Sequence, residues 1–276
     1  LINEKQLSCS KCGAKDFNEP KQFNLMLSTN VGPVDGTTAY LRPETAQMIF
    51  TNFKLVMDNA RMKFPFGIAQ VGKAFRNEIS PRDFLFRSRE FEQMEIEFFT
   101  HPDRVDECPY VNEIKTFKVN LLTTGAQEKK EDHKEFTIDR MLELNMLSQW
   151  HAYWLVQFYQ WFLNLGINPN NLRLREHLQD ELAHYAGACF DIEYKFPFGW
   201  KEIHGNADRK QFDLSQHQEH SKKDLTVFDD QTNEKVIPYV AAEPSQGVDR
   251  AFLALMFDAY NDDKERGNIW LKFDTL

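Results

Sequence analysis

The chain has 276 residues and a mass of 32.5 kDa, enough for one large domain or two small ones around a real apolar core. A formal charge of −9 and a sequence pI near 5.4 argue against a module that coats nucleic acid non-specifically, though they leave room for a local basic groove. No apolar run reaches the ~18–20 residues of a membrane-spanning helix, no secretory h-region opens the chain, and four sparse cysteines suit a reducing compartment, so a cytoplasmic protein without membrane partners is expected.

The chain begins with Leu1 rather than methionine, which suggests a piece of a longer protein. Residues 1–22 read as a loop-rich lead-in carrying Cys9-Ser-Lys-Cys12-Gly13. That spacing is half of a zinc knuckle, two thiolates short of tetrahedral closure, and two ordinary loop thiols would look the same. Its partner pair would lie upstream. Residues 23–99 alternate like strands around one helix near 43–60, and the polar run TTGAQEKKEDHKEF marks 103–147 as an insertion. A helix is predicted over 150–165, where Trp150, Tyr153, Trp154, Phe158, Trp161, Phe162 and Leu165 recur at spacings of three and four as a core stripe. A second helix is expected over 178–188, strands over 190–214, a polar link over 217–235, and a strand–turn–helix from 236 to about 260 with Gly247 at the turn. KFPFG occurs at 63–67 and again at 195–199, which suggests that two neighbouring strands enter the sheet through similar corners. Antiparallel strands separated by helical excursions point to an α+β fold rather than a doubly wound sheet. No glycine-rich phosphate loop is present, so charged side chains must hold the phosphates of any nucleotide.

Residues 75–99, FRNEISPRDFLFRSREFEQMEIEFF, carry the chemistry. With period two, Ile68, Gln70, Gly72, Ala74, Arg76 and Glu78 share one face of a strand, a floor of small residues ending in an arginine and a glutamate. In the following strand Phe91, Gln93, Glu95 and Glu97 face one way, while Met94, Ile96 and Phe98 face a core. Arginine offers bidentate bonds to phosphate, phenylalanine a stacking surface for a base, and buried carboxylates a site for an ammonium group. The combination implies a nucleotide triphosphate beside an amine. A salt-laced exterior is the bland alternative, but Phe91 standing among charges counts against it. His177, His184, His204, His217 and His220 lack a carboxylate motif such as HExxH and read as structural or surface residues.

The same stretch resembles motif 2 of the class II aminoacyl-tRNA synthetases, in the form found in glycyl-tRNA synthetases. LRPETAQMIF (41–50), FGWKEIHGNADRKQFDLSQHQEHSKKDL (198–225) and EPSQGVDRAFLALMFDAY (243–260) are similar to that family's other signatures, the last to motif 3. The likeness is collinear from about residue 9 to 276, apart from 103–147. It implies a class II synthetase-like core over 23–276, with an antiparallel β-sheet of six strands flanked by helices. It also implies glycine activation by ATP and Mg²⁺, followed by transfer to tRNA(Gly). By the resemblance Arg76 and Arg250 are catalytic, Arg76 on the α-phosphate and Arg250 on the outer phosphates with Arg87 or Arg89 and Mg²⁺. Glu78 would read the adenine amino group and Phe91 would stack on the base. Asn77, Phe86, Ser88, Glu90, Glu202, Ile203, Gly247, Val248 and Asp249 complete the expected ATP site. Glu44, Glu95, Glu243 and Ser245 match the residues around the glycine ammonium, flanked by Phe91, Glu92, Gln93, Met94, Pro244, Gln246 and Gly247, with Arg209 for the carboxylate.

The resemblance further implies a homodimer, and Zn²⁺ at Cys9 and Cys12 as in some family members. The motif 1 region and the anticodon-binding domain are not found in the chain. Met48 stands where the family has a glycine, and Asn206 where it has an apolar residue, so the pocket's shape is expected to differ locally. The competing readings are a synthetase-like binding subunit that has lost its chemistry, a synthetase for another small amino acid, and a generic carboxylate-activating ligase. Retention of Arg76, Glu78, Arg250, Glu44, Glu95 and Glu243 argues against the first, and RPETAQ is not needed by the last.

Overall fold

The computed structural model describes residues 8–15, 23–34, 36–183 and 186–273; the lead-in outside 8–15, together with His184, lies outside the described residues. In chain order the strands are β1 (Ser28–Val31), β2 (Thr37–Tyr40), β3 (Phe66–Phe75), β4 (Glu90–Thr100), β5 (Lys118–Leu122), β6 (Lys134–Thr137), β7 (Leu172–Glu176), β8 (Cys189–Phe196), β9 (Gly199–Ala207), β10 (Val227–Asp229), β11 (Glu234–Val236), β12 (Tyr239–Gly247), β13 (Tyr260–Asp263) and β14 (Asn268–Leu271). The helices are α1 (Ala46–Ala60), α2 (Val111–Ile114), α3 (Thr124–Lys129), α4 (Ile138–Glu143), α5 (Gln149–Asn164), α6 (Phe212–Ser221) and α7 (Val248–Ala259).

The main sheet runs β3-β4-β12-β9-β8-β7-β5-β6. Its first six strands are antiparallel throughout. Residues 103–147 then lengthen it by two strands, β5 pairing parallel to β7 and β6 antiparallel to β5. The fold is therefore α+β, with the six antiparallel strands expected and a further pair beyond them.

Helix α5 packs under the sheet. Phe98 of β4 lies 4.8 Å from Trp150 and 5.3 Å from Trp154, and Phe158 stacks on His204 of β9 at 4.5 Å. The aromatic stripe is only part of the buried face, however. Ala152, Leu155, Val156 and Phe162 are fully buried, whereas Trp161 is 38% exposed. Phe162 of the stripe shares the close-packed centre with these aliphatic residues, and Trp161 sits on its flank. His151 bonds the Asn206 carbonyl at 3.1 Å, fixing α5 to β9, and burial lowers its pKa to about 4, so it stays neutral.

Three other expectations change. The described residues of 178–188 form turns and bends rather than a helix, and the Gly187 amide bonds the Asp208 carbonyl at 2.8 Å, which draws the chain onto the end of β9. The strand-then-link reading of 190–235 misses α6, which is held by Leu214 in the core and by Arg209–Asp213 pairing. The two KFPFG segments lead into β3 and β9, which are separated by β4 and β12, and only the second is a hairpin corner.

Candidate active site

Register alone gathers the polar residues into rows across the sheet. Gln70 of β3 pairs with Glu95 of β4, Glu95 with Ser245 of β12, Ser245 with Gly205 of β9, Gly205 with Asp191 of β8, and Asp191 with Arg175 of β7. The neighbouring row includes Gly72 beside Gln93 and Gly247 beyond it. Gly72 lies under the Arg42 guanidinium, whose flexible end would have to shift to admit a Cβ there.

One end of this surface is an arginine-lined cleft. Arg76, Glu78, Phe86, Arg87, Ser88, Phe91, Glu202, Gly247, Asp249 and Arg250 all line it. The Arg76 guanidinium lies 5.3 Å from the Phe91 ring centre, and its Nε donates to the Pro43 carbonyl at 3.0 Å. Arg87 donates to Glu78 at 2.7 Å, and Arg250 to Glu202 at 3.2 Å and to the Phe86 carbonyl at 3.0 Å. The outer arginines are thus tethered to carboxylates across a cleft of about 70 Å³. An anionic ligand entering there exchanges those tethers for its own oxygens.

The adjoining cavity, about 290 Å³, is lined by Glu44, Arg76, Gln93, Glu95, Glu243 and Ser245, among others. Glu95 is fixed by the N-terminus of α1. One of its oxygens accepts from the Thr45 amide at 2.8 Å, the Ala46 amide at 2.7 Å and the Thr45 hydroxyl; the other accepts from Gln93 at 2.6 Å and Ser245 at 2.7 Å. Glu243 accepts from Arg209, and Glu44 lies 3.8 Å from the same guanidinium. Burial pushes the Glu243 carboxyl up to about 8; Arg209 opposes the rise, and Glu95 and Glu44 add to it. Below them Glu97 is buried with neither oxygen partnered, and burial, with Glu243 beside it, holds its pKa well above the carboxylate range. The cage is a ring of carboxylates with room for a small cation, and its negative charge grows as Glu243 ionises.

Arg209 differs from its expected role. It is 1% exposed, bidentate on Asp213 at 2.8 and 2.9 Å, and bonded to Glu243, so its donors serve carboxylates beneath the cavity. Other predicted residues also stand apart. Ile203 is the extra residue of a β-bulge between β8 and β9, which turns it into the core while Glu202 stays in the cleft. Met94 lies on the opposite face of β4 from Gln93 and Glu95, and Gln246 bonds buried His204 at 3.3 Å on the far side of β12. Glu92 and Glu90 are exposed on the β3 side, Glu90 pairing with Lys73. Asn77 ties down the Asn24–Leu25 backbone. Pro244 is buried in β12, Val248 begins α7, and Arg89 donates to the Glu78 carbonyl at 3.2 Å. Met48 is 39% exposed on α1 and does not line either cavity, whereas Asn206 borders the larger one. Thr45 and Asp213, which hold Glu95 and Arg209, were not singled out by sequence. The local signals were a threonine just ahead of an apolar helix and an i,i+4 Arg–Asp pair.

At the other end of the chain, the Gly13 amide donates to the Cys9 carbonyl at 2.8 Å and Gly13 takes φ +72°. Backbone amides of Cys12 and Lys11 lower the Cys9 thiol. A turn that points amides at sulfur suits a thiolate and fits one half of a knuckle site.

Residues 34–258 match the family described as the tRNA synthetase class II core domain (G, H, P, S and T). The chain is 46% identical over 264 residues to the glycine–tRNA ligase of Alkaliphilus oremlandii, covering 95% of the chain and 48% of that protein. It is 45% identical to the glycine–tRNA ligase of Acetivibrio thermocellus, covering 97% and 49%. The chain thus spans about half the length of the curated relatives it matches. Among solved structures, Giardia lamblia prolyl-tRNA synthetase in complex with prolyl-adenylate superposes with a TM-score of 0.54 at 14% identity, covering 84% of this chain and 37% of that one. Seryl-tRNA synthetase from Pyrococcus horikoshii complexed with ATP gives 0.52 at 15% identity, covering 87% and 42%. At such identities these two likenesses speak for the fold alone. Among the described residues no helix is long and apolar enough to cross a membrane.

Proposed function

The chain belongs to the class II tRNA synthetase core family, and on that premise we propose that it is the catalytic core of a glycine–tRNA ligase. The glycine carboxylate attacks the α-phosphate of ATP, giving glycyl-adenylate and pyrophosphate, and the glycyl group then passes to the 3′ end of tRNA(Gly). The observation that carries this reading is the junction of two sites: an arginine-lined cleft opening onto the cage of Glu44, Glu95, Glu243 and Ser245, with Arg76 in both.

No general base is needed for activation, because a carboxylate is already a nucleophile. Catalysis rests on positioning and on stabilising charge at the crowded phosphorus. Arg76 holds the α-phosphate, while Arg87 or Arg89 and Arg250 exchange their carboxylate tethers for the outer phosphates. The helix N-terminus below Arg250 adds partial positive charge. Phe91 stacks on adenine and Glu78 accepts from its amino group. Glu202, once freed by Arg250, would be the carboxylate to hold Mg²⁺, which would supply charge neutralisation at the outer phosphates. Arg209 acts from beneath, as the fixed counter-charge that keeps Glu243 and Asp213 in place. Larger amino acids are rejected sterically, since each methylene forced into a packed site costs about 1–3 kcal/mol. Zinc at Cys9 and Cys12, homodimerisation and tRNA choice are proposed for the whole protein.

The test is amino-acid-dependent ATP–pyrophosphate exchange by the intact protein with glycine, alanine and serine. Exchange with glycine alone, abolished by Arg76→Ala, supports the reading. A folded protein that exchanges with no amino acid overturns it in favour of a binding subunit.

A further inference from the structure

We propose that His177, Cys189 and Asp191 form a binding site for one divalent cation of the zinc class, on the wall of the cavity that holds the carboxylate cage. The inference does not rest on the ligase reading. Cys189 and Asp191 are two apart on β8 and so point to the same face, and the His177 amide bonds the Cys189 carbonyl at 3.0 Å, which brings the imidazole beside them. One ligand atom from each lies within 4.8 Å of the other two. Donors around a tetrahedral zinc ion stand about 3.3–3.8 Å apart, given metal–ligand distances of about 2.0–2.3 Å, so small side-chain adjustments close the set.

Two observations favour a cation over a simple ion pair. Nε2 of His177 is buried 2.8 Å from Oδ1 of Asp191 without a well-directed hydrogen bond to it. The other Asp191 oxygen is engaged by Arg175 at 3.4 Å, and Arg175 is itself held by Glu181 at 2.8 Å and Gln127 at 3.1 Å. The carboxylate is thereby oriented with Oδ1 towards the imidazole, the kind of outer support that metal ligands receive. A thiolate and a carboxylate together match the charge of a dication. Imidazole with thiolate selects zinc-class ions over magnesium or calcium.

All three residues line the cavity of about 290 Å³ shared with Glu95, Glu243 and Ser245. Register puts Asp191 two strands from Ser245 in one row, about 10 Å away at ordinary strand spacing. Three protein ligands leave a fourth position facing that cavity, where an oxygen of whatever occupies it, a hydroxyl or a carboxylate, would coordinate.

The test uses the intact protein carrying Cys9→Ser and Cys12→Ser, so that the knuckle contributes nothing, dialysed with zinc and then against metal-free buffer. Elemental analysis is expected to find one zinc per chain more in this parent than in either His177→Gln or Cys189→Ser added to it. Cobalt substitution is expected to give a thiolate-to-cobalt charge-transfer band that Cys189→Ser abolishes. Matching circular dichroism keeps a folding defect from posing as metal loss, and the two substitutions are independent of each other. Equal zinc content in parent and both variants, or a parent without a cobalt–thiolate band, overturns the site and leaves an ion pair beside a thiol.

Discussion

Glu95 and Glu97 stand two residues apart on the same face of β4, yet one carboxylate accepts five hydrogen bonds and the other accepts none. The difference is local. Glu95 meets the N-terminus of α1, with two backbone amides and a threonine hydroxyl, whereas Glu97 lies one step deeper among Glu243, Glu95, Asp213 and Arg209. Donors hold the first carboxylate in place, whereas burial and the neighbouring Glu243 raise the pKa of the second.

Glu97→Gln should therefore leave stability within about 1 kcal/mol of the parent, since it replaces a neutral acid by a neutral amide of the same shape. Glu95→Gln should cost about 1.5–3 kcal/mol, because an amide nitrogen would face donors that need an acceptor. Urea denaturation midpoints measure both. If the two substitutions cost the same, the contrast in hydrogen bonding does not govern what each glutamate contributes.

Removing Arg209 leaves Asp213 and Glu243 buried without their counter-charge. Arg209→Ala is expected to destabilise the fold by about 3–5 kcal/mol. Arg209→Lys should recover only part of this, because an ammonium cannot reproduce the two parallel bonds to Asp213. Thermal denaturation of both variants decides it, and a well-folded Arg209→Ala protein would contradict the placement.

Glycine affinity should depend on pH through Glu243. Its carboxyl is raised to about 8 by burial, partly offset by Arg209 and reinforced by Glu95 and Glu44, with Glu97 facing it from β4. Below that value it is protonated and cannot attract an ammonium group; above it the charge is present. The KM for glycine should thus fall as pH rises from 6 towards 8, by at most about tenfold per unit, and flatten beyond. Glu243→Gln should bind weakly at every pH in this window. A KM that stays constant from pH 6 to 8.5 in the parent protein counts against this role.

Arg76→Ala should lower kcat/KM for exchange by about 2.7–4 kcal/mol, as for loss of a preorganised oxyanion donor, with little change in the denaturation midpoint. A loss confined to stability would make Arg76 a prop for the Pro43 turn instead.

Much of this site was legible because a strand alternates with period two and the relevant strands are regular. The register of β3 with β4 sets Ala74 against Phe91, Gly72 against Gln93 and Gln70 against Glu95, the same face that alternation assigns. Gly247 and Arg250 fall at the β12–α7 junction for the same reason. What was illegible depends on contacts distant in sequence. Thr45 is 50 residues from the carboxylate it holds, and Asp213 draws its meaning from Arg209 and Glu243. Ile203, which the resemblance put at the ATP site, turns its side chain into the core at a bulge that no local pattern announces. Helix α6, with Leu214 as its only buried apolar residue, carries too little periodicity to announce itself.

The β5–β6 pair gives the sheet a different ending from the one its first six strands would have. Without it, β7 would leave a row of amides and carbonyls unpaired, a template on which strands of other molecules could stack. The stretch from 103 to 147 therefore serves as a selvedge: β6 is an edge of only four residues carrying Lys134 and Glu135, and trimming it away should leave the sheet more prone to associate.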